Sequence, residues 1–338
     1  MKRPLRILTW HIHGNYLYYL SQVPHEFYLP VKPGRPEGYG GRLPGFDWPD
    51  NVHDIPAAEV KATELDCILY QSHKNYLEDQ YDILSEAQRR LPRIFLEHNP
   101  PRQHPTNTRH PVDDPEVLLV HVTHFNELMW DNGRTPTQVI EHGVMIPPGV
   151  HYTGERPRGL VVVNNMARRN RLTGADIFQQ VRREVPLDLV GMDSETLGGL
   201  GEINHDELPA LAARYRFFFN PIRYTSLGLA VCEAMMIGLP VIGLATTEMV
   251  TAVDNNVTGY VSTNIPWLIQ RMKELIAHPL RAQRLSDTAR YRARQRFGIE
   301  RFSRDWDQTL RAVVGRETAV FPATTLPLSE TTQAEMHG

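Results

Sequence analysis

Short apolar runs alternate with longer amphipathic segments through most of the chain, and Gly, Pro, Asn and Asp cluster at the boundaries. Runs of this length, rich in branched side chains, read as buried strands, and segments with apolar residues three and four apart read as helices. The pattern predicts strands at 5–10, 25–30, 66–71, 93–97, 117–122 and 138–141 in the first half, and at 160–164, 187–190, 217–219, 240–243 and 259–261 in the second. Helices are predicted at 15–22, 57–63, 83–91 and 126–131, then at 174–184, 205–215, 227–237, 266–277, 281–297 and 300–314. Strands separated by helices predict an α/β protein with parallel sheets, because parallel neighbours require a crossover.

Pro147-Pro148-Gly149 interrupts this rhythm, and the apolar pattern restarts at Gly159-Leu160-Val161-Val162-Val163. Two prolines and a glycine continue neither a helix nor a central strand. The expectation is two Rossmann-like domains, 1–148 and 149–315, facing a central cleft that holds the active site. Phe302, Trp306, Leu310 and Val314 form one stripe on the last helix, which either packs on its own domain or crosses back to the first. The tail at 316–338 is rich in Thr, Pro, Ser and Ala and is expected to stay flexible. Two long loops, 31–54 and 98–114, interrupt the first domain; loops of that length are often functional.

Composition narrows the partners. The chain has 338 residues, 41% hydrophobic, and a net charge of -3, which gives no reason to expect nucleic acid. Arg290, Arg292, Arg294 and Arg296 lie on one predicted helix with Asp287 and Glu300 nearby and without aromatic interleaving of the stacking kind, so they read as a solvated face. Cys67 and Cys232 sit in apolar runs and read as buried thiols of a reducing compartment. No run is long enough to cross a membrane, so a cytoplasmic protein is expected, with peripheral membrane contact left open. His104 and His110, six residues apart in a Pro-rich loop, do not have metal-ligand spacing, and neither metal nor cofactor is expected.

The stretch 220–243 carries the most chemistry. Asn220-Pro221 closes the run Phe217-Phe218-Phe219, the turn Arg223-Tyr224-Thr225-Ser226 follows, and then comes a helix apolar on nearly every side with one carboxylate, Glu233. A charge in such a helix is costly without a partner, and a helix N-terminus just after a strand is a ready phosphate site. Ser226 is the expected N-cap, leaving the amides of Leu227, Gly228 and Leu229 free. Gly228 lets a ligand approach the backbone.

Gly228-Leu229, Glu233-Ala234-Met235 and Gly238-Leu239-Pro240-Val241 resemble the donor-binding signature of the retaining, family-4 (group 1) glycosyltransferases of the GT-B fold. Leu189-Val190-Gly191 and Gly201-Glu202-Ile203 are similar to that family's base-holding segment, and Ile140-x-x-Gly143-Val144 to the end of its first domain. The resemblance implies a nucleotide-diphosphate sugar as donor substrate, with Gly191 and Ile203 at the base and Glu233 at the ribose hydroxyls. Leu227, Gly228 and Leu229 would meet the phosphates. It places Arg168 in register with the family's diphosphate-binding Arg, and Thr173-Gly174 where a Lys-Gly is usual, so Arg171 is expected to replace the missing Lys. Gly14 and Asn15 match the loop facing donor and acceptor, and His98, at a strand's C-terminal end, matches the His beside the transferred sugar. Thr225 stands where the family has a second Glu, which puts donor choice, or activity itself, in question. The implied reaction is transfer, with retention, to a small-molecule, glycan or lipid-linked acceptor. A nucleotide-sugar 2-epimerase and a non-catalytic nucleotide-sugar-binding protein are the alternatives.

Overall fold

In a computed structural model, which describes residues 3–315, the chain folds around two parallel sheets. The first sheet contains β1 (Arg6–Thr9), β2 (Glu26–Val31), β3 (Val52–Pro56), β4 (Cys67–Tyr70), β5 (Arg93–Glu97), β6 (Val117–His121) and β7 (Thr137–Val139), in the order β3-β2-β1-β4-β5-β6-β7. Its helices include α1 (Gly14–Leu20), α2 (Gln80–Ile83) and α3 (His124–Met129). The second contains β8 (Arg156–Val162), β9 (Leu187–Val190), β10 (Tyr215–Asn220), β11 (Val241–Leu244) and β12 (Gly259–Ser262), in the order β12-β11-β10-β8-β9. Around it lie α4 (Met166–Arg169), α5 (Ala175–Val181), α6 (Leu208–Ala212), α7 (Leu229–Ile237), α8 (Met249–Ala252), α9 (Ile265–Ala277), α10 (Pro279–Phe297) and α11 (Ile299–Val314). In each sheet the strand order reverses once, between β1 and β4 and between β8 and β10. The crevices outside the C-terminal ends of those strands are where open α/β sheets bind ligands.

β5 and β9 have the predicted bounds, and most other elements differ only at their ends. Two departures have clear causes. The helix expected at 83–91 is broken after Ile83, because Ser85 and Gln88 cap one another: Gln88 N donates to Ser85 Oγ at 3.2 Å and Ser85 N to Gln88 Oε1 at 2.9 Å. That reciprocal pair starts a new turn rather than continuing the old helix. β3 lies at the end of the segment read as a loop; it is an edge strand of five residues ending in Pro56, with too little alternation to show. The tail at 316–338 lies outside the described residues.

α11 answers the question its stripe posed. Phe302, Trp306 and Leu310 are fully buried, and the helix packs back against α1 of the first domain. Trp306 Nε1 donates to Tyr16 Oη at 3.2 Å, Phe302 meets the Tyr16 ring edge-on at 5.6 Å, and Gln138 donates to Thr309 at 2.9 Å. The domains are also joined beside α10. Arg296 bonds Glu141 of the first domain and, at 3.1 Å, the buried Glu248 of the second, which accepts the Phe125 amide of α3 at 2.9 Å. Glu248 therefore satisfies a helix N-terminus and a guanidinium at once, as a buried carboxylate must. Trp306→Ala removes the largest side chain of this seam, and the expected loss is about 3–5 kcal/mol, measurable as a lower urea midpoint with the helical circular dichroism retained.

Candidate active site

α7 begins at Leu229, with Gly228 rather than Ser226 as its N-cap. The Val231 and Cys232 amides turn back onto Gly228 O at 3.0 and 3.4 Å, and no side chain caps the helix. The expected cap fails because Ser226 still belongs to the turn: it is buried, and its Oγ has no hydrogen-bond partner. The first-turn amides of Leu229 and Ala230 are thus left for a ligand. Nothing lies within 4 Å of a Cβ built on Gly228, so open space adjoins this helix end. Leu227 is buried and its carbonyl accepts from His142 Nε2 at 2.7 Å, tying the turn to the first domain. Thr225, half-buried in the same turn, follows Tyr224, whose hydroxyl donates to Pro101 O across the cleft at 3.0 Å.

Glu233 is 9% exposed, and its partner comes from the other domain. The Tyr19 hydroxyl of α1 donates to Glu233 Oε1 at 2.8 Å, and His205 Nε2 lies 3.7 Å from the same oxygen and 3.1 Å from the Tyr19 oxygen. Burial, then the carboxylate itself, pushes the Tyr19 phenol well above its ordinary range and keeps it a donor. Among the described residues Glu233 Oε2 makes no protein hydrogen bond. No arginine pairs with Glu233 among the described residues.

The cations sort differently from the expectation. Arg171 is largely exposed and bonds Asp176 at 2.9 Å, and Arg223 holds the same carboxylate in a fork at 2.6 and 2.7 Å. Arg171 is therefore already paired. Thr173, aligned with the usual Lys, is fully buried and its hydroxyl closes the loop onto Met166 O and Asn170 O. Arg169, adjacent to Arg168 in sequence and not singled out there, lies near both Arg168 and Arg102. Desolvation, then Arg102 and Arg168 nearby, holds its guanidinium below the usual range. Arg102 comes from the loop after β5, so this cationic group draws on both domains. On its flank Gly191, at φ +136, brings its amide to Gly201 O at 3.0 Å, and Met192 N donates to Asn164 Oδ1 at 2.9 Å. Ile203 packs on the core beside this loop.

Gly14 and Asn15 open α1, and a Cβ on Gly14 would lie 3.2 Å from His11 Nε2. His98 sits between His13, at 4.1 Å, and the edge of Tyr16, at 4.7 Å, and its Nε2 is buried without a partner. Burial, then His13 and His142, holds His98 well below the ordinary histidine range. Beyond His13 opens a cavity of about 500 Å³ at the C-terminal ends of β1, β4 and β5. Its wall includes His73, Glu97, Arg102 and Trp130. Glu97 is buried and accepts from His73 Nε2 at 3.3 Å, His110 Nε2 at 3.2 Å and the Asn99 amide at 2.7 Å. Burial opposes its charge, but the two imidazole donors prevail and hold its carboxyl down at about 2. His73, Glu97 and His110 are close enough to suggest a cation site. However, Val112 N donates to His110 Nδ1 at 3.1 Å, so the neutral ring carries its proton on Nε2, toward Glu97. A metal-bound imidazole has the opposite arrangement, donating from its other nitrogen.

The two facing α/β domains, with an open helix end and a buried carboxylate at their cleft, define the GT-B fold. Residues 160–278 match the family of glycosyl transferases group 1. The fold is similar to that of sucrose-phosphate synthase from Thermosynechococcus elongatus, at TM-score 0.69 and 15% identity over 93% of this chain and 100% of that one. It is also similar to Anabaena HepE in complex with UDP and glucose, at TM-score 0.64 and 15% identity over 91% and 100%. A glycosyltransferase from Rickettsia africae gives TM-score 0.66 and 13% identity over 93% and 99%. No curated protein sequence matches the chain.

The buried histidines predict the acid behaviour. Burial, above all, lowers His121 and His142 to about 4 from 6.5. The unfolded chain therefore binds more protons between those values, so the stability these two residues contribute is fully present above pH 6.5 and is lost as pH falls towards 4. Urea midpoints at pH 7.5, 5.5 and 4.5 are expected to drop with no plateau, the two residues accounting for a loss on the order of a few kcal/mol.

Proposed function

We propose that this protein is a glycosyltransferase that moves a sugar from a nucleotide-diphosphate donor to a hydroxyl acceptor. The observation that carries this reading is the uncapped N-terminus of α7 with Glu233 one turn further on, the carboxylate oriented by Tyr19 and one oxygen left free. The first-turn amides would take the diphosphate, with Arg168, Arg169 and Arg102 balancing the charge that develops as the sugar–phosphate bond breaks. Glu233 Oε2 would accept from a ribose hydroxyl, and the loops at Gly191 and Ile203 would border the base. The match to the group 1 family supports this reading, and the neighbour crystallised with UDP and glucose agrees with it.

Retention of configuration follows from the resemblance, with the sugar arriving on the face the diphosphate leaves and a phosphate oxygen taking the acceptor's proton. Transfer of a hexose, domains divided near 147–149, no metal or cofactor, and a cytoplasmic location belong to the same proposal. None of the described helices is long and apolar enough to cross a membrane. The acceptor would enter the cavity beside His13, where the loop carrying Arg102 forms one wall.

A thermal-shift screen of nucleotides and nucleotide sugars tests the binding half, since a ligand held only by the folded state raises its melting temperature. Selective stabilisation by one nucleoside diphosphate is expected, and Glu233→Gln is expected to weaken that ligand at least tenfold, about 1.4 kcal/mol. Unchanged affinity in the variant would refute the assignment of Glu233. Donor consumption without any acceptor product would favour epimerisation, and tight binding without consumption a binding protein.

A further inference from the structure

The carbonyl of Leu227 is turned away from the helix it precedes. In a continuing α-helix it would accept the amide four residues on, that of Val231. Instead Val231 N donates to Gly228 O at 3.0 Å, and Leu227 O accepts from His142 Nε2 at 2.7 Å. A carbonyl only accepts, so this bond sets the neutral imidazole with its proton on Nε2. Nδ1 of the same ring is buried without a partner, and the bond to Leu227 is the one hydrogen bond the ring makes among the described residues.

His142 is itself held firmly. It follows β7 and is 5% exposed. Arg301 of α11 donates to the carbonyls of Glu141, at 3.0 Å, and of His142, and Val144 N donates to Phe297 O of α10 at 2.9 Å. The Tyr16 ring meets the imidazole edge-on, with centroids 5.7 Å apart. Backbone and ring are thus fixed by three helices, and the one donor of the side chain is spent on a carbonyl of another segment.

The neighbouring residues show what that carbonyl would do if released. Turned inward, it would let α7 begin two residues earlier, with Ser226 as N-cap. Val231 N would then bond Leu227 O, Ala230 N would bond Ser226 O, and Leu229 N would bond Ser226 Oγ, as in an ordinary capped helix. The hydroxyl for such a cap is at hand, since Ser226 is buried and its Oγ has no partner. The longer helix would satisfy both amides now left for a ligand, and an anion would find none of them free.

We propose that His142 is a positioning residue for donor binding: by holding the Leu227 carbonyl outside the helix, it keeps the amides of Leu229 and Ala230 open for the diphosphate. The inference rests on the glycosyltransferase reading of this helix end. His142 touches no substrate and acts through Leu227.

Two measurements test it, the first without ligand. In amide hydrogen exchange of the full chain, Leu229 and Ala230 are expected to exchange freely in the parent and to gain about tenfold protection in His142→Phe, which keeps a ring but loses the donor. His142→Gln, whose side-chain amide keeps a donor for the same carbonyl, is expected to behave as the parent. Unchanged exchange of both amides in His142→Phe overturns the proposal, whatever the protein binds. The second measurement compares UDP with uridine, or the nucleoside diphosphate that the thermal screen selects with its nucleoside. His142→Phe is expected to weaken the diphosphate roughly tenfold or more, because charge-assisted hydrogen bonds are lost, and to leave the nucleoside within about threefold. Equal losses for both ligands mean a structural role only and refute the positioning role, as does an unchanged affinity for the diphosphate. Ser226→Ala in the His142→Phe background removes the competing cap and is expected to restore part of the diphosphate affinity. His142→Leu repeats both measurements with a smaller apolar side chain, so that a folding failure of His142→Phe leaves the test intact. A parent that binds no nucleoside diphosphate refutes the donor reading instead, and exchange of the two amides then decides the role of His142 by itself.

Discussion

A carboxylate inside an apolar helix has to find a partner, and much of this molecule is arranged around how Glu233 finds one. The partner is the Tyr19 hydroxyl, on a helix of the other domain. That hydrogen bond joins the two sheets at the point where a ligand would lie between them. It also leaves one carboxylate oxygen directed by a fixed neighbour rather than neutralised by an arginine. A neutral donor is the difference: a phenol satisfies the charge without cancelling it, so the group stays available to a hydroxyl ligand.

The rest of the cleft follows the same economy of polar groups at strand ends. Parallel sheets expose their C-terminal edges at the switch points, and here those edges face each other. On one side stand an uncapped helix and Arg168 with Arg169; on the other, Glu97 with its two histidines and Arg102. The seam formed by α11, Arg296 and Glu248 holds these edges in register from behind, so the charges at the front need not provide cohesion.

The α/β class and both sheets were legible, because they depend on local periodicity and on Gly and Pro at boundaries. The departures fall where tertiary contacts decide between locally equivalent options. Arg171 and Arg169 are two apart and chemically identical; Asp176 claims the first, and the fold alone brings the second near Arg102. Ser226 has the chemistry of an N-cap, but burial of Leu227 and its bond to His142 keep the turn open for two residues more. Thr173 reads as a lost lysine and proves to be a loop closure, its hydroxyl bonded to two carbonyls. The Glu97 pair went unseen because His73, Glu97 and His110 belong to separate segments, and only His110 lay in a loop that drew notice.

What the sequence determined by itself is whatever repeats at short range: strands, helices, and a helix whose single carboxylate demanded a partner. It could state that demand because desolvation of a charge is a local property of its helix. The tertiary structure decided which group answers it, that Arg102 comes near Arg169 across the cleft, and which nitrogen of His110 holds a proton. Those are set by contacts that form only in the folded chain, and no spacing along the sequence encodes such distances.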